Sequence, residues 1–230
     1  MWEERPGRSQ LVRTVWRAVV ETPGTYPVSG SEYWSLSFIR RPTGELAAVL
    51  DGPNLKAHAV DGIVGEEYWG VELAAHVTIP GVSKSAILGE TVELPVVDGT
   101  VRLAGRPWPF PGWDDLEPWV DALVAAGGLV VHEDVRRALS GERRGASQRT
   151  WQRRFSRNVG LTSRQIDQLR RVENGYLLLQ SGSSPAEAAI DAGFADQAHF
   201  TRALRMIRGQ TPAAVIAAAR RREREASVSI

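Results

Sequence analysis

Cysteine is absent from the 230 residues, which removes disulfides, thiolate nucleophiles, cysteine zinc sites and iron–sulfur clusters together. Lysine is nearly absent as well: Lys56 and Lys84 are the only two. No uncharged apolar run reaches the roughly 18 residues that a membrane span needs, so no membrane partner is expected. The first 20 positions carry Glu3, Glu4, Arg5, Arg8, Arg13 and Arg17 in place of a signal-peptide core, and the expected location is the cytoplasm. Chemistry-bearing motifs are missing too. There is no G-x-S-x-G elbow, Walker loop or dinucleotide fingerprint. His58 and His76 have no second histidine or paired acid at ligand spacing, so neither a metal nor another cofactor is expected. Glu66, Glu67, Glu72, Glu90 and Glu93 are acids of the kind that pair for general acid–base work, but such residues ordinarily sit in solvent. The chain is not expected to be an enzyme.

What is present describes a globular chain, 43% hydrophobic and 24% charged, with apolar material for one large or two small cores. Its formal charge of +1 hides an asymmetry. Residues 1–131 hold 10 Lys and Arg against 17 acids, whereas residues 132–230 hold 18 Arg and no Lys against 10 acids. An arginine-only basic half is the footprint of a surface that meets phosphates, and an acidic half would be repelled by them. A merely solvated charged surface is the alternative.

The acidic half reads as strands and turns. Runs at Leu11–Val20, Glu32–Ile39, Glu45–Leu50 and Tyr68–Ile79 are β-rich, and Pro23-Gly24, Asp51-Gly52-Pro53, Pro80-Gly81 and the hairpin-type Asp98-Gly99 punctuate them. Many short strands at this spacing predict a sandwich or half-barrel. After Pro107, Pro109 and Pro111 the period changes: Leu116, Trp119, Val120, Leu123 and Val124 form a helical stripe that Gly127-Gly128 ends. From there the chain reads as helical. Ser184-Pro185-Ala186-Glu187 is a capping box, Gly193 ends that helix, Asp196 caps the next, Gly209 ends it and Thr211-Pro212 opens a last one. A short helix, a glycine turn and a second helix make the helix-turn-helix plan.

One unit occurs twice. Shifted by 49 residues, ASQRTWQRRFSRNVGLT (146–162) aligns with ADQAHFTRALRMIRGQT (195–211), with Ala146/Ala195, Gln148/Gln197, Arg153/Arg202, Gly160/Gly209 and Thr162/Thr211 identical. Ser147 and Asp196 are both N-cap types. On a helical wheel Trp151 and Phe155 anchor one face, and Arg149, Gln152, Arg153 and Ser156 lie opposite. In the second copy Phe200, Leu204 and Ile207 form the anchor; Ala198, Thr201, Arg202 and Arg205 take the outward stripe, with His199 at its edge. Arg and Gln on an exposed helix are the groups that read guanine and adenine edges in a major groove.

Residues 132–216 resemble the DNA-binding domain of the AraC/XylS family of bacterial transcription regulators, through SQRTWQRRFSRNVGLT, the linker SRQIDQLRRVENGYLLLQSG and AGFADQAHFTRALRMIRGQTP. The resemblance implies two helix-turn-helix units joined by a long linker helix, the second helix of each entering the major groove of double-stranded DNA. Carried over residue by residue, it implies base reading by Arg149, Gln152 and Arg153 in the first unit and by Gln197, Ala198, His199 and Arg202 in the second. Arg157, Arg205 and Arg208 are implied backbone contacts, and Ser147 and Thr201 complete the expected contact set. Three features depart from the family pattern. The first turn, SGERRGAS, is long, which leaves its opening helix to be sought in HEDVRRAL; Gly175 stands in the linker where alanine is expected, at about 1 kcal/mol of helix propensity; and AAVIAAARRRERE lacks the usual aromatic-arginine ending.

Seven of the eight tryptophans precede His132. Trp16, Tyr33, Trp34, Tyr68 and Trp69 are the candidates for lining a pocket for a small apolar or aromatic effector, with strand alternation pointing one ring of each Tyr-Trp pair inward; ordinary core and surface aromatics are the alternative. GEEYWGVELAAHVTIP and WPFPGWDDLEPWVDALV also resemble the half-cupin-like sensor found in some regulators of this family. The expectation is therefore an α+β chain of two domains: a β-rich sensor at 1–112, a connecting amphipathic helix at 113–131 and an all-α DNA-binding domain at 132–230. Two alternatives stay open, a constitutive regulator whose first domain binds a protein partner or dimerises, and a small-molecule-modifying enzyme tethered to DNA. RNA polymerase and a second copy of the chain are further candidate partners.

Overall fold

The computed structural model describes residues 1–139 and 159–228. Among these are thirteen strands, the last of which follows the first helix: β1 (Trp2–Pro6), β2 (Val12–Val19), β3 (Gly24–Val28), β4 (Trp34–Arg40), β5 (Leu46–Asp51), β6 (His58–Gly62), β7 (Glu67–Leu73), β8 (Val77–Thr78), β9 (Thr91–Leu94), β10 (Val96–Val97), β11 (Thr100–Leu103), β12 (Arg106–Pro109) and β13 (Val130–Val131). The helices are α1 (Leu116–Ala125), α2 (Glu133–Leu139), α3 (Ser163–Gln180), α4 (Pro185–Asp191), α5 (Gln197–Arg208) and α6 (Pro212–Val228). A β-rich half followed by a helical half is the expected α+β arrangement. No helix among the described residues is long and apolar enough to cross a membrane.

The main sheet has the order β1-β2-β7-β4-β5-β9, with antiparallel pairing throughout. Alternation gives it an apolar inner face. Val15, Trp34, Leu36, Phe38, Leu50, Trp69, Val71 and Leu73 point to that face and are buried. Against them pack Val101 and Leu103 from the smaller sheet β10-β11-β12, and Leu116, Trp119, Val120 and Leu123 from α1. The Asp98-Gly99 turn between β10 and β11 has both residues at positive φ, +47° and +68°, as a two-residue hairpin requires.

Two compact units result, and they divide the chain differently from the expected partition. The first comprises Met1–Tyr26, Glu32–Asn54 and Asp61–Ser163; the second comprises Pro27–Ser31, Leu55–Val60 and Arg164–Ile230. Helix α1 is not a free connector. Its stripe is spent on the first unit's core, and its Glu117 accepts from the Arg5 guanidinium and the Arg8 N–H, both at 2.5 Å, tying β1 and the following turn to it. Lys84 is also inside this unit. It is 1% exposed, its Nζ donates to the Ala75 carbonyl at 2.8 Å and lies 4.6 Å from the Trp34 ring centroid, and burial holds its pKa well below the usual lysine value.

In the second unit, α3 buries Ile166, Leu169, Val172, Gly175 and Leu179 along one face. Gly175 is explained by its neighbour: a Cβ there would lie 2.5 Å from the Phe200 ring, so the substitution that helix propensity favours is refused by packing.

Candidate nucleic-acid interface

The second repeat builds a helix-turn-helix from local signals that can each be traced. Ser184 Oγ accepts from the Glu187 N–H at 3.3 Å and the Glu187 carboxylate accepts from the Ser184 N–H at 2.9 Å, with Pro185 at the first helical position: the capping box that starts α4. Hydrogen bonding to Ser184 lowers the Glu187 pKa. The chain turns at Gly193 (φ +79°), whose carbonyl accepts from the Arg171 guanidinium at 3.1 Å. Asp196 then caps α5 by accepting from the His199 N–H at 2.6 Å, and Gly209 ends it in the left-handed conformation, φ +67°. Thr211 Oγ1 accepts from the Ala214 N–H at 3.1 Å, starting α6.

Packing decides which side of α5 faces outward. Phe200, Ala203, Leu204 and Ile207 are buried, and Phe194 from the turn packs against Phe200 at a tilt, with ring centroids 5.2 Å apart. The opposite stripe is open: Gln197, Ala198, Arg202 and Arg205 are exposed and Thr201 is half-buried. Neither Arg202 nor Arg205 makes an ion pair with any described residue. His199 sits at the margin, edge-on to Phe194 at 5.2 Å. From Ala198 to Arg205 the stripe runs two turns, about 10 Å at 1.5 Å per residue. That is the dimension and donor chemistry of a helix face that lies against three or four base pairs.

Arg208 is placed otherwise. Its guanidinium pairs with Glu173 on α3, lies 3.9 Å from the Tyr176 ring centroid and reaches Ser29 Oγ at 3.4 Å, so it is engaged within the unit where the family resemblance implied a phosphate contact. Sequence spacing alone could not reveal this, because Glu173 and Tyr176 come from another helix.

In the first repeat, α2 is the helix sought within HEDVRRAL. Glu133 is paired with Arg136, whose hydrogen bond pulls the Glu133 pKa down to about 2. Ser147, Arg149, Trp151, Gln152, Arg153, Phe155 and Arg157 lie outside the described residues. The C-terminal end of this repeat is described again from Val159, which is buried, as is Leu161.

The five aromatic candidates in the first unit fall into separate environments. Trp34 is fully buried, with its Nε1 donating to the Val77 carbonyl at 3.1 Å. Trp69 is 5% exposed, packs against Phe38 and Phe110 and donates to the Pro111 carbonyl at 3.0 Å. Tyr33 lies under the Arg13 guanidinium, 4.6 Å from its ring centroid. Trp16 and Tyr68 occupy the outer sheet face: Trp16 stacks on the exposed Trp2 at 5.3 Å, and the Tyr68 hydroxyl donates to the Glu66 carboxylate. Burial and that bond push the Tyr68 pKa up to about 12. Each Tyr-Trp pair therefore has its tryptophan inside, as alternation requires.

Residues 141–218 match a family model described as a helix-turn-helix domain. Among solved structures, the chain is similar to ToxT from Vibrio cholerae, at 7% identity and a TM-score of 0.45, covering 92% of this chain and 96% of that one. It is also similar to ToxT from Vibrio cholerae O395 (11% identity, TM-score 0.42, 92% and 95% covered) and to unsaturated fatty acid-bound ToxT from Vibrio cholerae strain SCE256 (10%, 0.40, 92% and 93%). No curated protein matches the sequence. The capped, outward-facing α5 and the matched segment together define a helix-turn-helix DNA-binding protein. The matched segment spans 78 of the 230 residues and is described only as a helix-turn-helix domain.

Proposed function

We propose that this chain is a transcription regulator of the AraC/XylS type that binds a specific DNA sequence by laying α5 in a major groove, with Gln197, Ala198, His199, Thr201 and Arg202 meeting base edges and Arg205 meeting the backbone. The observation that carries the reading is the division of α5 into a buried anchor of Phe200, Leu204 and Ile207 and an open stripe of Ala198, Arg202 and Arg205. The first repeat contributes a second reading helix through Ser147, Arg149, Gln152, Arg153 and Arg157, so that one chain reads a two-part, non-palindromic site in successive major grooves, about 34 Å apart on straight DNA. The β-rich half modulates that binding in response to a small apolar or aromatic effector, and of its candidate rings the half-buried Trp16, Tyr33 and Tyr68 are the ones open to a ligand. Trp34 and Trp69 are reached only by loosening the core.

The filled inner face, where Phe38, Trp69, Phe110 and Trp119 pack ring against ring, favours a second reading in which the β-rich half receives a protein partner. Selection of bound fragments from genomic DNA, repeated with and without a metabolite extract, tests both. A single enriched sequence whose affinity changes with the extract supports the effector reading; enrichment indifferent to it supports the partner reading; no enrichment overturns sequence-specific binding.

A further inference from the structure

The carbonyls of the last turn of a helix have no partner within the helix. In α5 the Arg205 carbonyl accepts from the Gly209 N–H at 3.0 Å, the usual glycine ending. The next two are satisfied from a long way off in sequence. The Met206 carbonyl accepts from the Ala57 N–H at 2.8 Å, and the Ile207 carbonyl accepts from the Gly30 N–H at 2.7 Å. Both donors lie in the short segments, 27–31 and 55–60, that belong to the helical unit although the sequence places them among the strands.

Other contacts converge on the same helix end. Ser29 Oγ meets the Arg208 guanidinium at 3.4 Å, and a Cβ added at Gly209 would stand 3.3 Å from the Ala57 side chain. Each segment adjoins one strand of the β3-β6 pair, which sets the two side by side. The first repeat shows a related arrangement inside the other unit. At Gly160, the counterpart of Gly209, a Cβ would lie 2.6 Å from the Lys84 Cβ. A main-chain donor is independent of side-chain type, which is why neither Gly30 nor Ala57 carries any motif.

We propose that Gly30 and Ala57 are positioning residues for DNA reading: their N–H groups form the C-terminal cap of α5, so the second helix-turn-helix is completed by segments 27–31 and 55–60. The consequence is that a chain beginning at residue 132 carries every base-reading side chain of α5 but lacks the cap that holds the end of the helix. The cap lies at the far end of α5 from Gln197 and Ala198, so it steadies the helix without occupying its reading stripe.

The test uses the full chain. Amide exchange should show the Gly30 and Ala57 N–H groups protected, and this measurement needs neither DNA nor a variant. Gly30→Pro and Ala57→Pro each remove one donor, and each should speed exchange of the amides at Met206–Gly209 by about three- to ten-fold, the range for one hydrogen bond. Ala57→Ser keeps the donor and should leave that exchange at the wild-type rate. Far-ultraviolet circular dichroism, which reports the helices, and tryptophan emission, dominated by the β-rich half, together check that both units of each variant are folded. The proposal rests on the DNA-binding reading only for its last arm, in which both proline variants weaken binding to the selected duplex while Ala57→Ser does not. Free-chain exchange of the Gly30 and Ala57 amides in the wild type would overturn the cap, whatever the DNA result. So would full protection of the last turn in both folded proline variants. A confirmed cap with unchanged affinity would overturn the positioning role alone.

Discussion

The ring of Phe200 packs against the backbone of Gly175, so closely that a Cβ at that position would meet the ring at 2.5 Å. The contact joins the linker helix to the reading helix and leaves no room for the residue that local propensity prefers.

Gly175→Ala should therefore destabilise the helical unit by about 1–3 kcal/mol, the cost of overpacking, although an exposed helix would gain about 1 kcal/mol from the same change. Urea unfolding followed by far-ultraviolet circular dichroism checks the sign. A gain in stability would show that Phe200 moves aside.

Phe200→Ala removes the other partner of this contact from a fully buried site. The expected loss is about 3–5 kcal/mol, and the helical unit should melt ahead of the β-rich one. Calorimetry would show the separation as two transitions.

Arg202→Ala and Arg205→Ala separate reading from anchoring. The first should cost about 1–3 kcal/mol on the selected duplex and relax preference at one base pair. The second should weaken binding to all sequences alike and reduce the slope of log affinity against log salt by about 1. Titrations at several salt concentrations on matched and scrambled duplexes distinguish them.

Acid should destabilise the β-rich unit in two steps. His76 is held below its usual 6.5 by burial first and then by the charges of Arg136 and Lys84, with His132 adding to them and Glu133 opposing. A histidine with a depressed folded pKa contributes stability that is complete above the unfolded pKa and is lost as pH falls from about 6.5 through the folded value. Burial alone would raise Glu117, but the hydrogen bonds from the Arg8 N–H and the Arg5 side chain, with their charges, bring it below its usual 4.5. Its contribution is present above about pH 4.5 and disappears as pH falls through its folded pKa. His76→Phe should flatten the upper step and leave the lower one, in unfolding midpoints measured from pH 7.5 to 3.5.

Local signals make much of this molecule legible in its sequence. Ser184-Pro185-Ala186-Glu187, Asp196 and Gly209 each predicted a helix end, and each end falls where they put it, because a cap is written in three or four adjacent residues. Asp98-Gly99 is legible for the same reason. The stripe on α1 announced a helix correctly but could not name its partner, and the helix proved to be part of the β-rich core. The engagement of Arg208 by Glu173, the need for glycine at 175 and the donation from Gly30 and Ala57 to α5 are contacts between distant positions. No local period records them.

The two lysines occupy opposite extremes, Lys56 at the surface and Lys84 sealed beneath an indole ring. An amine-reactive label should accordingly mark Lys56 at once and spare Lys84 until the sheet breathes. Without any engineering, the ratio of label at the two lysines becomes a clock for how often the interior of the first unit is visited by solvent, and an effector or partner that tightens this half would slow it.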